Sequence, residues 1–74
     1  QAVTLNPRFS DGYNNRGFTK MQNGELQEAL GDFTIALKLN PNSISAYSNR
    51  AELLVRADKP EAAIADLNQA ITRN

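Results

Sequence analysis

Tyr47-Ser48-Asn49-Arg50-Ala51 repeats, 34 residues later, the stretch Tyr13-Asn14-Asn15-Arg16-Gly17. Shifting the whole 74-residue chain by the same interval lays Ala29 on Ala63, Asp32 on Asp66, Ala36 on Ala70 and Asn40 on Asn74. At twice that interval Gln1-Ala2-Val3-Thr4-Leu5-Asn6 matches Gln69-Ala70-Ile71-Thr72-Arg73-Asn74. A fixed period of this size marks a repeat architecture, in which each unit is one supersecondary element that buries its apolar face on its neighbours. The chain reads as a single domain: residues 1–9 as the end of a preceding helix and its turn, 10–43 as repeat one, and 44–74 as repeat two. A start part-way through a unit leads us to expect a segment of a longer protein.

Within each unit the apolar residues recur at helical steps. Gln1 to Leu5 reads as the last turn of a helix, closed by Asn6-Pro7 because proline has no amide to continue the ladder. Ser10 is expected to cap the first helix, with Asp11 in its first turn, and Asn23-Gly24 to stop it. Leu26, Ala29, Leu30, Phe33, Ala36 and Leu37 then follow at steps of three and four, which predicts a second helix over about Glu25 to Leu39. Asn40-Pro41-Asn42 ends it. Ser43 or Asn42 caps a third helix of about Ile44 to Ala57, and Pro60 opens a fourth that carries Ala63, Ile64, Leu67, Ala70 and Ile71. Turns of a few residues force neighbouring helices antiparallel, so the prediction is two helical hairpins with no strand.

The hairpin reading has an internal geometric check. In an antiparallel pair, residues at the same height are equidistant from the turn centre. Arg16 and Asp32 stand equally far on either side of Gly24, and Arg50 and Asp66 equally far from Asp58, the matching turn position. Each pair is predicted to tie its hairpin through a salt bridge. Gly17 and Ala51 lie one turn after Tyr13 and Tyr47, and small side chains there let two helix backbones approach while the ring fills the adjacent space.

With these residues in place the chain resembles the tetratricopeptide repeat family. Tyr13, Gly17, the Asn23-Gly24 turn, Ala29, Phe33, Ala36 and Pro41 fall where the 34-residue signature of that family places them, and Tyr47, Ala51, Ala63, Leu67 and Ala70 repeat the match. The resemblance implies an all-α fold of antiparallel helical hairpins stacked as an α-solenoid, a segment of a right-handed superhelix. Lys20 stands where the family usually has a large apolar or aromatic residue, and Pro60 where an aromatic or leucine is common. Lys20 and Glu28 are equidistant from Gly24, so an ion pair is expected to replace the missing apolar contact.

Composition excludes several functions. Eight basic residues balance eight acidic ones, which leaves no electrostatic reason for nucleic acid as partner. Cysteine and histidine are both absent, so neither a disulfide framework nor a thiolate or imidazole metal site is available. Glu25 and Glu28 at a helix start suit the helix dipole better than a metal ion. Glycines 12, 17, 24 and 31 form no phosphate loop, lacking a preceding strand and a following Gly-Lys-Ser/Thr. The sequence predicts no enzyme, no cofactor and no metal. No apolar run approaches the roughly 20 residues of a membrane span, so a soluble chain without membrane insertion is expected; composition does not separate cytoplasm from periplasm, and the cytoplasm is a guess only.

What remains is a face. On the first helix the stripe beside the core is Asp11, Asn14, Asn15, Phe18, Met21 and Gln22, and on the third it is Ser45, Ser48, Asn49, Glu52, Val55 and Arg56. The resemblance implies that this stripe lines a concave groove. Asn15 and Asn49 are identical and one repeat apart, and an amide that both donates and accepts can hold an extended peptide backbone whatever its side chains. Satisfying nearby backbone groups or water is the alternative role for both. Phe18 and Met21 are either apolar anchors for a ligand or contacts with a neighbouring helix. The Tyr-Ser-Asn-Arg stretch is similar to chaperone-binding carboxylate-clamp domains, but the places of the clamp's lysines and further arginine hold Asn14, Phe18, Ser45 and Asn49. A complete clamp is rejected.

The expected function is therefore a protein-interaction module of a longer scaffold or adaptor, taking a peptide or helix in the groove. Asn14, Asn15 and Asn49 supply amides, Phe18, Met21 and Val55 apolar contact, and Glu52 and Arg56 specificity. The alternative is a structural segment that self-associates as a homo-oligomer through its end faces, with Val3 and Leu5 at one end and Leu67, Ala70 and Ile71 at the other.

Overall fold

The computed structural model describes residues 7–73. They form α1 (Pro7–Gln22), α2 (Leu26–Leu39), α3 (Ile44–Arg56) and α4 (Pro60–Arg73), with no strand among the described residues. The all-α hairpin solenoid is as the sequence indicates. The readings placed on residues 1–6, including Val3 and Leu5, lie outside the described residues.

Each hairpin turns through the same structure. Gly24 has φ 84° and Asp58, one period later, φ 63°. In the first turn the amide of Gly24 donates to the Met21 carbonyl (3.0 Å) and that of Glu25 to the Lys20 carbonyl (2.9 Å). In the second, Asp58 donates to Val55 (3.1 Å) and Lys59 to Leu54 (2.8 Å). This is the Schellman pattern, in which a left-handed residue lets two amides satisfy the last free carbonyls of the helix. Between the hairpins, Ser43 caps α3 by accepting from the Ala46 amide (3.2 Å).

The start of α1 differs from the sequence expectation. The helix begins at Pro7, not after Ser10, because proline lacks the amide that a first helical position leaves unused and already holds a helical φ. Ser10 is not a cap. It is wholly buried, and its hydroxyl donates to the Ala36 carbonyl of α2 at 2.9 Å.

Two apolar clusters hold the layers together. One gathers Met21, Ala29, Phe33, Ala51, Leu53, Leu54 and Ala63, with Leu26 and Leu30 against it. The other joins Ala36 and Leu37 of α2 to Ala46 of α3, flanked by Tyr13 and Tyr47. Consequently α3 packs chiefly on α2 and meets α1 along a narrower seam. Gly17 sits where α1 crosses the Phe33 ring, and a Cβ there would fall 2.8 and 2.9 Å from two ring carbons. In repeat two the same positions hold Ala51 and Leu67, a larger residue on one helix and a smaller on the other.

The ion pairs fall at the predicted heights. Arg16 grips Asp32 with Nε at 3.0 Å and Nη2 at 2.9 Å, and Arg50 grips Asp66 at 2.7 and 2.8 Å. Lys20 reaches Glu28 at 3.2 Å and Asp32 at 3.6 Å, so the cation lacking an apolar partner on α2 finds a carboxylate there. Arg16 and Arg73 also lie over the rings of Tyr13 and Tyr47, at 5.3 and 5.1 Å. Asp32 is held below the ordinary aspartate value, first by the hydrogen bond from Arg16 and then by the charges of Arg16 and Lys20, with burial opposing. Hydrogen bonding to Asp66 raises Arg50, again against burial.

Gly17→Ala is expected to destabilise the fold by about 1–3 kcal/mol, because the Phe33 ring and the backbone must both shift; urea denaturation followed by helicity measures it. Acid provides a second check. The unfolded chain protonates Asp32 at the ordinary aspartate value while the folded chain resists until lower pH, so stability is full above that value and falls as pH drops below it. Urea midpoints from pH 7 to pH 2 should show this fall, and Asp32→Asn should reduce it.

Candidate ligand-binding face

The face expected to bind ligand is built by α1 and α3, the first helices of the two repeats. Asn14 is buried between them. Its Nδ2 donates to Ser45 Oγ at 2.9 Å and its Oδ1 accepts from Asn49 Nδ2 at 3.0 Å. Both polar ends of the amide are thus used within the protein, and Asn49, half-buried, commits one donor to the seam. The C-terminal ends of the same helices are joined by Arg56. Its Nη2 donates to Glu52 at 2.8 Å and to Gln22 Oε1 at 3.3 Å, and Nη1 approaches the Met21 carbonyl at 3.5 Å.

The stripe therefore divides. Met21 is 0% exposed and belongs to the core, because α3 lies over that side of α1 and the thioether fills the space under Leu53 and Leu54. Asn14 serves the seam. Asn15 is exposed, as are Phe18 at 42% and Val55 at 60%. Glu52 and Arg56 are exposed and paired with each other. Of the residues proposed for end contacts, Leu67 and Ile71 are exposed, whereas Ala70 is nearly covered. The sequence reading did not pair Asn14 with Ser45 or Asn49; for the second contact a signal existed, since Asn14 and Asn49 are one residue more than a period apart on successive first helices.

Among the described residues no group of three or more acidic, histidine or cysteine side chains could hold a metal ion, and no helix is long and apolar enough to cross a membrane.

The duplicated hairpins with matching turns coincide with two matches to models of the tetratricopeptide repeat, over residues 10–43 and 44–74. The chain belongs to the tetratricopeptide repeat family. It is similar to the TPR repeat-containing thioredoxin TDX of Oryza sativa subsp. japonica, 44% identical over 70% of this chain and 16% of that protein. It is also similar to tetratricopeptide repeat protein 36 of Caenorhabditis elegans, 47% identical over 64% of this chain and 26% of that protein. Tetratricopeptide repeat protein 6 of Homo sapiens is 30% identical over 96% of this chain and 14% of its own length. The chain thus spans about a quarter or less of the curated relatives it matches. No solved structure matches at the same level of significance. Tetratricopeptide repeats are in general non-catalytic modules, and the two repeats make this chain a protein–protein interaction module.

For this tetratricopeptide repeat pair, Asn14→Ala should cost about 1–2 kcal/mol in urea denaturation, since it strips partners from both Ser45 and Asn49. Asn15→Ala, on the exposed side of the same helix, should stay within about 0.5 kcal/mol of the parent chain.

Proposed function

We propose that the chain binds an extended peptide or a helix of a protein partner along the exposed face of α1 and α3, as one module of a longer scaffold or adaptor. The observation that supports this most is that Phe18 and Val55 stand exposed on the two first helices, outside both apolar clusters. Large apolar side chains that the fold does not bury, set among amides and single charges, are the composition of a docking surface. Asn15 supplies an exposed amide for a ligand backbone, and Asn49 contributes the part of its amide that Asn14 does not use. Glu52 and Arg56 discriminate between partners by charge; because they are already paired with each other, a ligand carboxylate or ammonium must compete with that pair to engage either. Met21 acts beneath the surface, packing where it supports the neighbouring backbone rather than meeting the ligand.

The small size of the chain relative to its relatives supports a part played inside a larger protein. The rice relative's name joins such repeats to a thioredoxin. In this chain the role assigned is recognition rather than chemistry.

The test is a titration of the isotopically labelled chain with pooled ten-residue peptides, read by amide chemical shifts. Shifts should concentrate at Asn15, Phe18, Glu52, Val55 and Arg56. Phe18→Ala and Val55→Asp should each weaken a bound peptide by about tenfold while leaving thermal stability nearly unchanged. Shifts confined to α2 and α4, or an affinity indifferent to both substitutions, would refute the reading.

A further inference from the structure

The turn that sets the first hairpin is built on Asn23-Gly24, the only Asn-Gly step in the chain. That step carries chemistry which neither the fold nor ligand recognition uses. A deprotonated amide nitrogen directly after an asparagine attacks the side-chain Cγ, and glycine hinders the approach least because it has no side chain. Asn23 and Gly24 are both exposed. A Cβ built on Gly24 would meet nothing within 4 Å, so no neighbouring group blocks the attack. One contact opposes it: the Gly24 amide donates to the Met21 carbonyl at 3.0 Å. Releasing that bond does not strand the acceptor, which Arg56 Nη1 approaches at 3.5 Å. The internal repeat supplies a control. Ala57 is the counterpart of Asn23, and Asp58 holds the left-handed φ of 63°, so the second turn has the same backbone without the reactive pair. Asn42, in the turn between the hairpins, is followed by Ser43, whose side chain obstructs the approach and whose amide donates to the Asn40 carbonyl at 3.1 Å.

We infer that Asn23-Gly24 is a self-modifying site: opening of the turn lets the Gly24 nitrogen attack Asn23, and the isoaspartyl product releases the register of the first hairpin while the second keeps its own. In the first step the bond from Gly24 N to Asn23 Cγ forms, the Cγ–Nδ2 bond breaks, and the amide nitrogen leaves as ammonia with the proton that Gly24 gave up. Water then opens the cyclic succinimide at either carbonyl. The sum is asparagine and water giving an acidic residue and ammonia, with no oxidation or reduction. Each product alters the turn in its own way. The succinimide nitrogen has no hydrogen, so the bond to Met21 is lost. Opening at the backbone carbonyl leaves isoaspartate, whose main chain runs through Cβ and Cγ and is longer by one atom. The Glu25 amide, 2.9 Å from the Lys20 carbonyl, then no longer meets it, and α2 shifts against α1 where Arg16 holds Asp32 and Lys20 holds Glu28. Opening at Cγ leaves ordinary aspartate, which keeps the backbone and adds a negative charge at the C-terminal end of α1, moderated by Lys20 in the last turn. No ligand takes part, so this site and peptide recognition stand or fall separately.

Tryptic peptide mapping by mass spectrometry tests the proposal on the full 74-residue chain, held folded in mildly alkaline buffer and in parallel unfolded in guanidinium chloride. Cleavage after Lys20 and Lys38 yields a peptide of residues 21–38 with Asn23 as its sole asparagine, whereas residues 39–50 hold Asn40, Asn42 and Asn49. In the folded chain the mass gain from exchanging amide nitrogen for oxygen should appear first in 21–38. It should be about tenfold or more slower than in the unfolded chain, because the turn must open first. Asn23→Gln, whose longer side chain closes a ring far less readily, should abolish the gain. The isoaspartyl form, prepared from the unfolded chain and isolated by chromatography, should refold with a lower urea midpoint than the parent, while Asn23→Asp stays near the parent. A folded chain unmodified in 21–38 over the time that consumes Asn23 in the unfolded chain overturns the proposal. Equal rates in the two states overturn it as well, since the turn then exerts no control. A first mass gain in 39–50 moves the reactive site to another asparagine, and an isoaspartyl form as stable as the parent removes the effect on register; either result refutes the inference.

Discussion

A single left-handed residue at the centre of each hairpin is the constraint on which the other contacts depend. Gly24 and Asp58 turn the backbone so that two amides close the preceding helix, and the next helix must then run back beside it at one height. That height decides which side chains can meet. With the turn at Gly24, Arg16 reaches Asp32 with both nitrogens and Lys20 reaches Glu28 and Asp32. A slip of one residue would rotate every apolar position of α2 by about 100° away from α1. The bidentate pairs reinforce the register, because a planar guanidinium accepts a carboxylate well in only one alignment.

Close approach is the second consequence. Helices held at one height can sink together only where a side chain is missing, and Gly17 provides that place for the Phe33 ring. Repeat two exchanges sizes at the same two positions, Ala51 for Gly17 and Leu67 for Phe33. The exchange has an effect outside the hairpin. Phe33 is completely buried under α3, while Leu67, at the end of the stack, remains 43% exposed. The same residue pattern thus supplies a core in one place and an unfilled surface in the other, and only the neighbour decides which.

Much of this was legible in the chain itself. The 34-residue period, the helix ends at Gly24, Ser43 and Pro60, and the two arginine–aspartate ties follow from local stereochemistry and from counting outward from the turns. The candidate face was legible only in part. Helical periodicity placed Asn14, Asn15, Phe18 and Met21 on one side of α1, but one stripe of a helix can face a neighbour along one edge and solvent along the other. Asn14 and Met21 lie under α3, and Asn15 and Phe18 do not. Ser10 illustrates the same limit. A serine followed by an acid reads as a cap, yet Pro7 starts the helix and the hydroxyl finds a carbonyl 26 residues away.

The sequence by itself determined the elements, their order and the register within each hairpin, because helix propensity, capping and turn chemistry act over a few residues. It also determined that the two units are equivalent. The tertiary structure decided how far that equivalence holds in space. Stacking α3 on α2 and along the seam with α1 buries Asn14 but leaves Ser48 exposed, and buries Leu37 but leaves Ile71 exposed. The reason is that burial belongs to pairs of surfaces, and a sequence pattern specifies a surface without specifying what lies against it.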